Sequence, residues 1–163
     1  MAREIERKFL VTGEGWRDAV TESRRIRQFY LARTDRATVR VRVTDDDTGR
    51  LTVKGSAAGA SRAEYEWEIP VAEARAMEAL RAGRTLAKTR HLVPAGDLAW
   101  EVDVFEDGLV LAEIELPAED AAFDRPDWIG SEVTGDPRYY NAAMALGDGA
   151  VPASSQPLRR TSQ

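Results

Sequence analysis

Glu4, Glu6 and Lys8 occupy every second position at the start of the chain. In an extended strand successive side chains point to opposite faces, so these three share one face, with neighbouring carboxylates only about 6.6 Å apart. Like charges that close repel unless a cation lies between them. The same parity runs on through Arg40 and Arg42, Arg50 and Lys54, Arg62, Glu64, Glu66 and Glu68, Lys88 and Arg90, Glu101 and Asp103, and Glu113 and Glu115. Carboxylates in this number favour hard ions such as magnesium or manganese. Arg offers bidentate contacts to phosphate oxygens and Lys a mobile point charge. Charges sorted by sign in this way suit a metal ion together with a polyphosphate.

The positions in between are mostly apolar: Val39, Val41 and Val43; Leu51 and Val53; Tyr65, Trp67 and Ile69; Trp100, Val102 and Val104; Val110, Ala112, Ile114 and Leu116. Each strand therefore has one charged and one apolar face. An antiparallel sheet with one wet face gives the same alternation. Its repetition here, with Thr, Ser, Gln and Asn scarce at the charged positions, sets this chain apart from an ordinary solvated face.

Strands are expected over residues 4–8, 25–31, 37–44, 50–55, 62–69, 85–93, 98–105 and 109–116, the second with a blurred period. Asp45-Asp46-Asp47-Thr48-Gly49 and Glu106-Asp107-Gly108 read as hairpin turns. The acidic run lacks the spaced ligands of a calcium loop. Residues 71–82 carry helical spacing and good helix formers ending at Gly83. Residues 118–123 are open to a helical reading, and Asp136-Pro137 starts a final helix through Ala145. Trp67 and Trp100 have the apolar parity and are expected under helices. Residues 1–146 form one expected domain and 147–163 a disordered tail.

At 163 residues the chain is long enough for one domain with a real core. A net charge of -5 argues against a nucleic-acid partner. With no cysteine, disulfides, zinc-thiolate sites and thiol nucleophiles are excluded, and the single histidine, His91, cannot make a histidine cluster. No apolar run reaches membrane-span length, and no signal-peptide core opens the chain; a cytoplasmic location with no membrane partner is expected.

Eight antiparallel strands favour closure, which removes exposed edges. The helices need an apolar surface to cover, so the apolar face belongs outside. The expected fold class is α+β: an eight-stranded antiparallel closed β-barrel, a tunnel with a charged lumen and helices packed on the outside. Its lumen would hold Lys8, Arg40, Arg42, Lys54, Arg62, Lys88 and Arg90 opposite Glu4, Glu6, Glu64, Glu66, Asp103, Glu113 and Glu115. Burying so many ions is costly without partners. A triphosphate chelated to divalent cations satisfies both sets. Some of the outer apolar surface stays uncovered, which leaves room for a homodimer.

Glu4-Ile5-Glu6-Arg7-Lys8, Val39-Arg40-Val41-Arg42, Thr52-Val53-Lys54, Arg62-Ala63-Glu64-Tyr65-Glu66, Lys88-Thr89-Arg90, Trp100-Glu101-Val102-Asp103, Glu113-Ile114-Glu115 and the stretch from Glu132 to Asn141 resemble, in this order, the CYTH domain of the triphosphate tunnel metalloenzymes. Glu-x-Glu-x-Lys alone would be weak; the ordered set, from Ala2 to about Leu146, is specific. The resemblance implies an eight-stranded tunnel that binds small-molecule triphosphates with Mg2+ or Mn2+. By the same resemblance Lys8, Arg40, Arg42, Lys54, Lys88 and Arg90 grip phosphate. Glu4, Glu6, Glu113 and Glu115 are implied as the main metal ligands, with Glu64 and Asp103 helping.

Hydrolysis of a phosphoanhydride in such a site needs no His, Cys or Ser nucleophile. A lysine of lowered pKa can accept the proton; Lys54 and Lys88 are the candidates, with Lys8 beside them. The family includes inorganic triphosphatases, thiamine triphosphatases, RNA triphosphatases and class IV adenylate cyclases. With no evident platform for a base or thiazole ring, the expected reaction is tripolyphosphate to pyrophosphate and phosphate. The alternatives are an adenylate cyclase, a thiamine triphosphatase, or a non-catalytic polyphosphate or nucleotide binder, which would hold its ligand without metal.

Overall fold

The computed structural model describes residues 3–56 and 60–147. The expected tail over 147–163 lies outside the described residues except for Gly147, as do positions 57–59 of the loop between the fourth and fifth strands. The strands are β1 (Arg3–Val11), β2 (Glu22–Arg33), β3 (Ala37–Thr44), β4 (Thr48–Gly55), β5 (Ser61–Ile69), β6 (Ala82–Ala95), β7 (Leu98–Phe105), β8 (Val110–Glu115) and β9 (Ile129–Glu132). Two short helices join them, α1 (Val71–Met77) and α2 (Asn141–Leu146).

Neighbouring strands follow the order β5-β4-β3-β2-β6-β7-β8-β1, and β1 then pairs with β5 to close an eight-stranded barrel. Every pairing is antiparallel. Closure is brief: Arg3, Glu4 and Ile5 meet Ala63, Arg62 and Ser61. Cross-strand pairs on one face are Glu6 with Glu115, Lys8 with Glu113, Glu101 with Glu113, Arg90 with Asp103, Arg42 with Arg50, and Lys54 with Glu64. All of these share the charged parity, and all but Arg50 and Glu101 are residues that alternation assigned to the lumen, so the charged-lumen barrel of the α+β class stands. Turn chemistry agrees with the pattern: Asp45 and Asp46 take positive φ values of 51° and 61°, which short acidic side chains tolerate between β3 and β4.

Apolar packing lies mainly outside the barrel. Ala74 of α1 is buried with Phe29, Val41 and Val43 of the β2 and β3 outer face. Phe9, Trp16, Trp100, Val102 and Ile114 form a second outer core, with Phe123 and Trp128 packed on it.

Several expectations change. Residues 118–123 form no helix, and the irregular chain leading to β9, not a helix, covers Trp100. Trp67, expected under a helix, is 53% exposed, because α1 packs on β3 and β4 and stops short of it. The helix expected over 71–82 ends its α-helical part at Met77, adds a 3-10 turn over Glu78–Leu80, and gives way to β6 at Ala82.

The last helix departs furthest from expectation. Asp136 caps a 3-10 turn over Pro137–Tyr139, accepting from the Arg138 backbone N–H at 3.1 Å. Tyr140 then breaks out in extended conformation before α2 begins. Met144 and Ala145 of α2 are buried with Tyr30, Leu86, Phe105 and Leu111, which share the inner parity of their strands. One end of the lumen is thus apolar, and α2 stoppers it instead of packing outside. Gly83 permits this approach: it takes a φ of 66°, and a Cβ there would lie 2.2 Å from the Ala145 carbonyl oxygen.

Candidate functional site

The strands deliver two connected zones into the lumen. The first is a cavity of about 260 Å3 whose walls include Glu6 and Lys8 of β1, Tyr30 of β2, Arg40 of β3, Lys54 of β4, Arg62 of β5, and Tyr140 and Asn141 beside α2. The second is a closed ionic cluster next to it. Lys88 Nζ donates to Asp103 Oδ2 at 2.7 Å, and Arg90 donates to both oxygens of the same carboxylate at 2.8 and 2.9 Å. Arg90 also reaches Glu113 at 3.4 Å and is paired with Glu101. Glu113 in turn lies 3.3 Å from Lys8 Nζ, which donates to the Tyr139 carbonyl at 2.8 Å. Lys88 is 4% exposed and Asp103 1%.

Of the residues assigned to phosphate, Lys8, Arg40, Lys54 and Arg62 line the cavity, while Arg42, Lys88 and Arg90 stand deeper. Lys54 pairs with Glu4 at 2.8 Å and Glu64 at 3.7 Å; Arg40 donates to Thr52 at 3.3 Å and lies 3.9 Å from Glu66. Of those assigned to metal, Glu4, Glu6, Glu113 and Glu115 sit near one another on β1 and β8, with Asp103 on β7 and Glu64 on β5 to either side. Among the described residues no three carboxylates are already gathered as a ligand set. Their chemistry nevertheless fits a hard divalent ion: Glu6 and Glu115 are directly opposed across β1 and β8, and among the described residues buried Glu4 Oε2 lacks an aligned hydrogen bond.

The CYTH domain family model matches residues 2–140, a span that takes in all eight strands of the barrel. The chain belongs to the CYTH domain family. An inorganic triphosphatase of Acetivibrio thermocellus is 48% identical over 148 residues, 88% of this chain and 94% of that protein. One from Nitrosomonas europaea is 39% identical over 150 residues, covering 88% and 97%. A crystal structure of an inorganic triphosphatase superposes with a TM-score of 0.63 at 36% identity, covering 93% of this chain and 98% of that one. A Pyrococcus horikoshii protein at 18% identity shares the fold, with a TM-score of 0.60 over 72% of this chain and 80% of its own.

In this CYTH domain the electrostatics follow from burial set against crowding. Burial lowers Lys88 to about 7, with Arg90 and Arg42 adding to the effect and Asp103 opposing it. Asp103 and Glu113 are driven up by burial, yet their lysine and arginine partners overcome it and hold both below the usual carboxylate range. Glu6 goes the other way: burial, then Glu113 and Glu4, raise it to about 7 against the pull of Lys54 and Lys8. Burial, Glu4 and Glu6 also raise Glu115.

The raised Glu6 makes stability depend on pH. A raised folded-state carboxylate binds its proton more tightly than the unfolded chain does. Its contribution is therefore full below the ordinary value of 4.5 and is lost as pH rises through about 7. Metal-free protein is expected to lose several degrees of Tm between about pH 5 and about pH 7 relative to Glu6→Gln, followed by differential scanning fluorimetry. Parallel curves for the two proteins would show that Glu6 is not raised. Lys88 acts only above its own value of about 7, outside that window.

Tyr30, Gln28 and Asn141 belong to the site and carried no signal in the alternation. Gln28 and Tyr30 are inward on β2, but a register shift between Tyr30 and Ala32 scrambles the period there. Asn141 arrives from outside the barrel strands, on the segment that stoppers the lumen. His91 faces away from the site, 5.1 Å from the Trp16 ring, as its parity requires.

Proposed function

We propose that this CYTH domain hydrolyses inorganic tripolyphosphate to pyrophosphate and phosphate in a reaction that requires Mg2+ or Mn2+. The observation that carries this reading is the lumen, where Lys8, Arg40 and Lys54 line the cavity and each is matched to a carboxylate. Buried pairs of this kind gain little net stability, which makes a fold that assembles so many of them a candidate ligand site. Exchange resolves the cost: phosphate oxygens take the cations, and the released carboxylates take metal. Identity to two inorganic triphosphatases supports the substrate class. Neither cavity-lining aromatic offers a free platform for a base, since Tyr30 is buried and Tyr140 lies against Arg62, 5.3 Å from guanidinium to ring centre.

In this mechanism Lys8, Arg40, Lys54 and Arg62 bind the phosphate chain at the cavity wall, and Arg42, Lys88 and Arg90 hold its inner end. A divalent cation held by Glu4, Glu6, Glu113 and Glu115, with Glu64 and Asp103 assisting, would screen developing charge and acidify the attacking water. Lys88, poised near neutrality, has the pKa of a proton acceptor, and Lys54 lines the cavity; burial pushes Lys8 down, but Glu113 and Glu6 hold it above the ordinary lysine value, which keeps it a cation for phosphate. The α2 stopper closes the apolar end and keeps water out on that side. A small triphosphate and a cytoplasmic setting complete the proposal.

Arg40→Ala is expected to raise KM for tripolyphosphate about tenfold with a smaller change in kcat, because one charge-assisted phosphate contact is lost. Steady-state phosphate release measures it; an unchanged KM would remove Arg40 from the site. The reading as a whole is tested by incubating protein with tripolyphosphate, ATP and thiamine triphosphate, with Mg2+, Mn2+ or chelator, and resolving products by phosphorus NMR. Metal-dependent pyrophosphate and phosphate from tripolyphosphate supports it. Cyclic AMP from ATP, thiamine diphosphate as the main product, or binding without turnover would contradict it.

A further inference from the structure

Gln28 stands fully buried, at 0% exposure, in a lumen whose other polar groups are mostly ionic. It is paired across the sheet with Arg42 on β3 and Leu86 on β6. Its Oε1 accepts from Arg42 Nε at 2.9 Å and from Arg42 Nη2 at 2.8 Å, and its Nε2 donates to Asn141 Oδ1 at 3.1 Å. The same Asn141 oxygen accepts from Lys88 Nζ at 3.2 Å. Arg and Lys only donate, so an oxygen must face each end of this chain, and the orientation of both amides follows. Two neutral amides thus join two buried cations.

Among the described residues, Arg42 lacks the carboxylate partner that most of the lumen cations have. Lys8, Arg40, Lys54, Lys88 and Arg90 each have a carboxylate within ion-pair distance. Among the described residues Arg42 has none; its guanidinium is oriented by an amide alone. A carboxylate at position 28 would satisfy the same N–H groups and cancel the charge. A neutral acceptor fixes the geometry and leaves the charge in place, at the cost of burying an uncompensated cation. Crowding shows in the lowering of Arg42 to about 9 by burial, Arg40 and Arg90, which Asp103 only partly opposes. An anion entering the lumen relieves that penalty.

We propose that Gln28, anchored by Asn141, is a positioning residue that holds the Arg42 guanidinium through a neutral acceptor, so that its positive charge remains available to a bound triphosphate. This rests on the reading of the lumen as a triphosphate site. It assigns Gln28 and Asn141 a role in affinity that no charge pattern marks.

The test is Gln28→Glu, nearly isosteric, which turns the acceptor into a counter-ion for Arg42. KM for tripolyphosphate is expected to rise about tenfold or more while kcat changes by less than about threefold, with Tm near wild type because the counter-ion gained by Arg42 offsets the lost donation to Asn141. A purely structural Gln28 gives the reverse, a lower Tm with KM in the wild-type range, and that result overturns the proposal. Gln28→Met keeps the volume without an acceptor and is expected to lower Tm and raise KM together; an unchanged KM in both variants also overturns it. Calorimetric binding of tripolyphosphate to metal-free protein separates this inference from the functional reading. If wild type binds but still does not turn over once Mg2+ or Mn2+ is added, the hydrolase reading fails, whereas weaker metal-free binding to Gln28→Glu still supports the positioning role and equal binding removes it.

Discussion

Glu6→Gln should lower turnover of tripolyphosphate on the order of a hundredfold or more while leaving the metal-free barrel at least as stable as wild type. The two effects have one origin. Glu6 sits on β1 directly across from Glu115, and burial, with Glu113 and Glu4 nearby, raises it to about 7. Without a cation these carboxylates repel, so a neutral amide of the same shape relieves the folded state. With a cation, the same substitution removes a ligand. Steady-state kinetics with Mg2+ and Mn2+, alongside melting curves in chelator, give both halves. Wild-type turnover in Glu6→Gln would take Glu6 out of the metal set. A large drop in chelator Tm would mean that it is structural.

Trp100→Ala acts on the opposite face and should act oppositely. Trp100 is 0% exposed, with Phe9 at 5.5 Å, Trp128 at 5.7 Å and Phe123 at 5.8 Å between ring centres, all near edge-to-face. Truncation removes the centre of that cluster and leaves a cavity under the segment leading to β9. A loss of about 3–5 kcal/mol is expected in urea unfolding, large against the whole stability of a domain this size. Trp100→Phe should cost much less, since it keeps a ring and deletes an indole N–H that has no hydrogen-bond partner among the described residues. Normal stability with altered substrate preference in Trp100→Ala would place the ring inside the tunnel and reverse the assignment of faces.

What was legible in the sequence depended on the pleat. In β3, β4, β5, β7 and β8 strict alternation placed Arg40, Arg42, Lys54, Glu64, Asp103, Glu113 and Glu115 on one wall, and the need to cover Val41 and Trp100 turned that wall inward. Alternation reports only where the backbone is regular and the inner wall is charged. β2 breaks the first condition through its register shift near Tyr30. The far end of the lumen breaks the second, since Leu86, Phe105 and Leu111 face inward there, and an apolar interior draws in α2. Trp67 shows the limit of parity itself, which gives the face of a strand and not what covers that face.

What fills the lumen decides between a triphosphate site and a salt-bridged core. Crystals grown with Mn2+ and tripolyphosphate, with diffraction collected at the manganese edge, would locate both directly. Anomalous density is expected within the bounds of Glu4, Glu6, Glu113 and Glu115, with a phosphate chain running from Arg40 and Lys54 toward Lys88 and Arg90. Manganese and phosphate found only on the outer surface, with the lumen ion pairs intact, would contradict the triphosphate site.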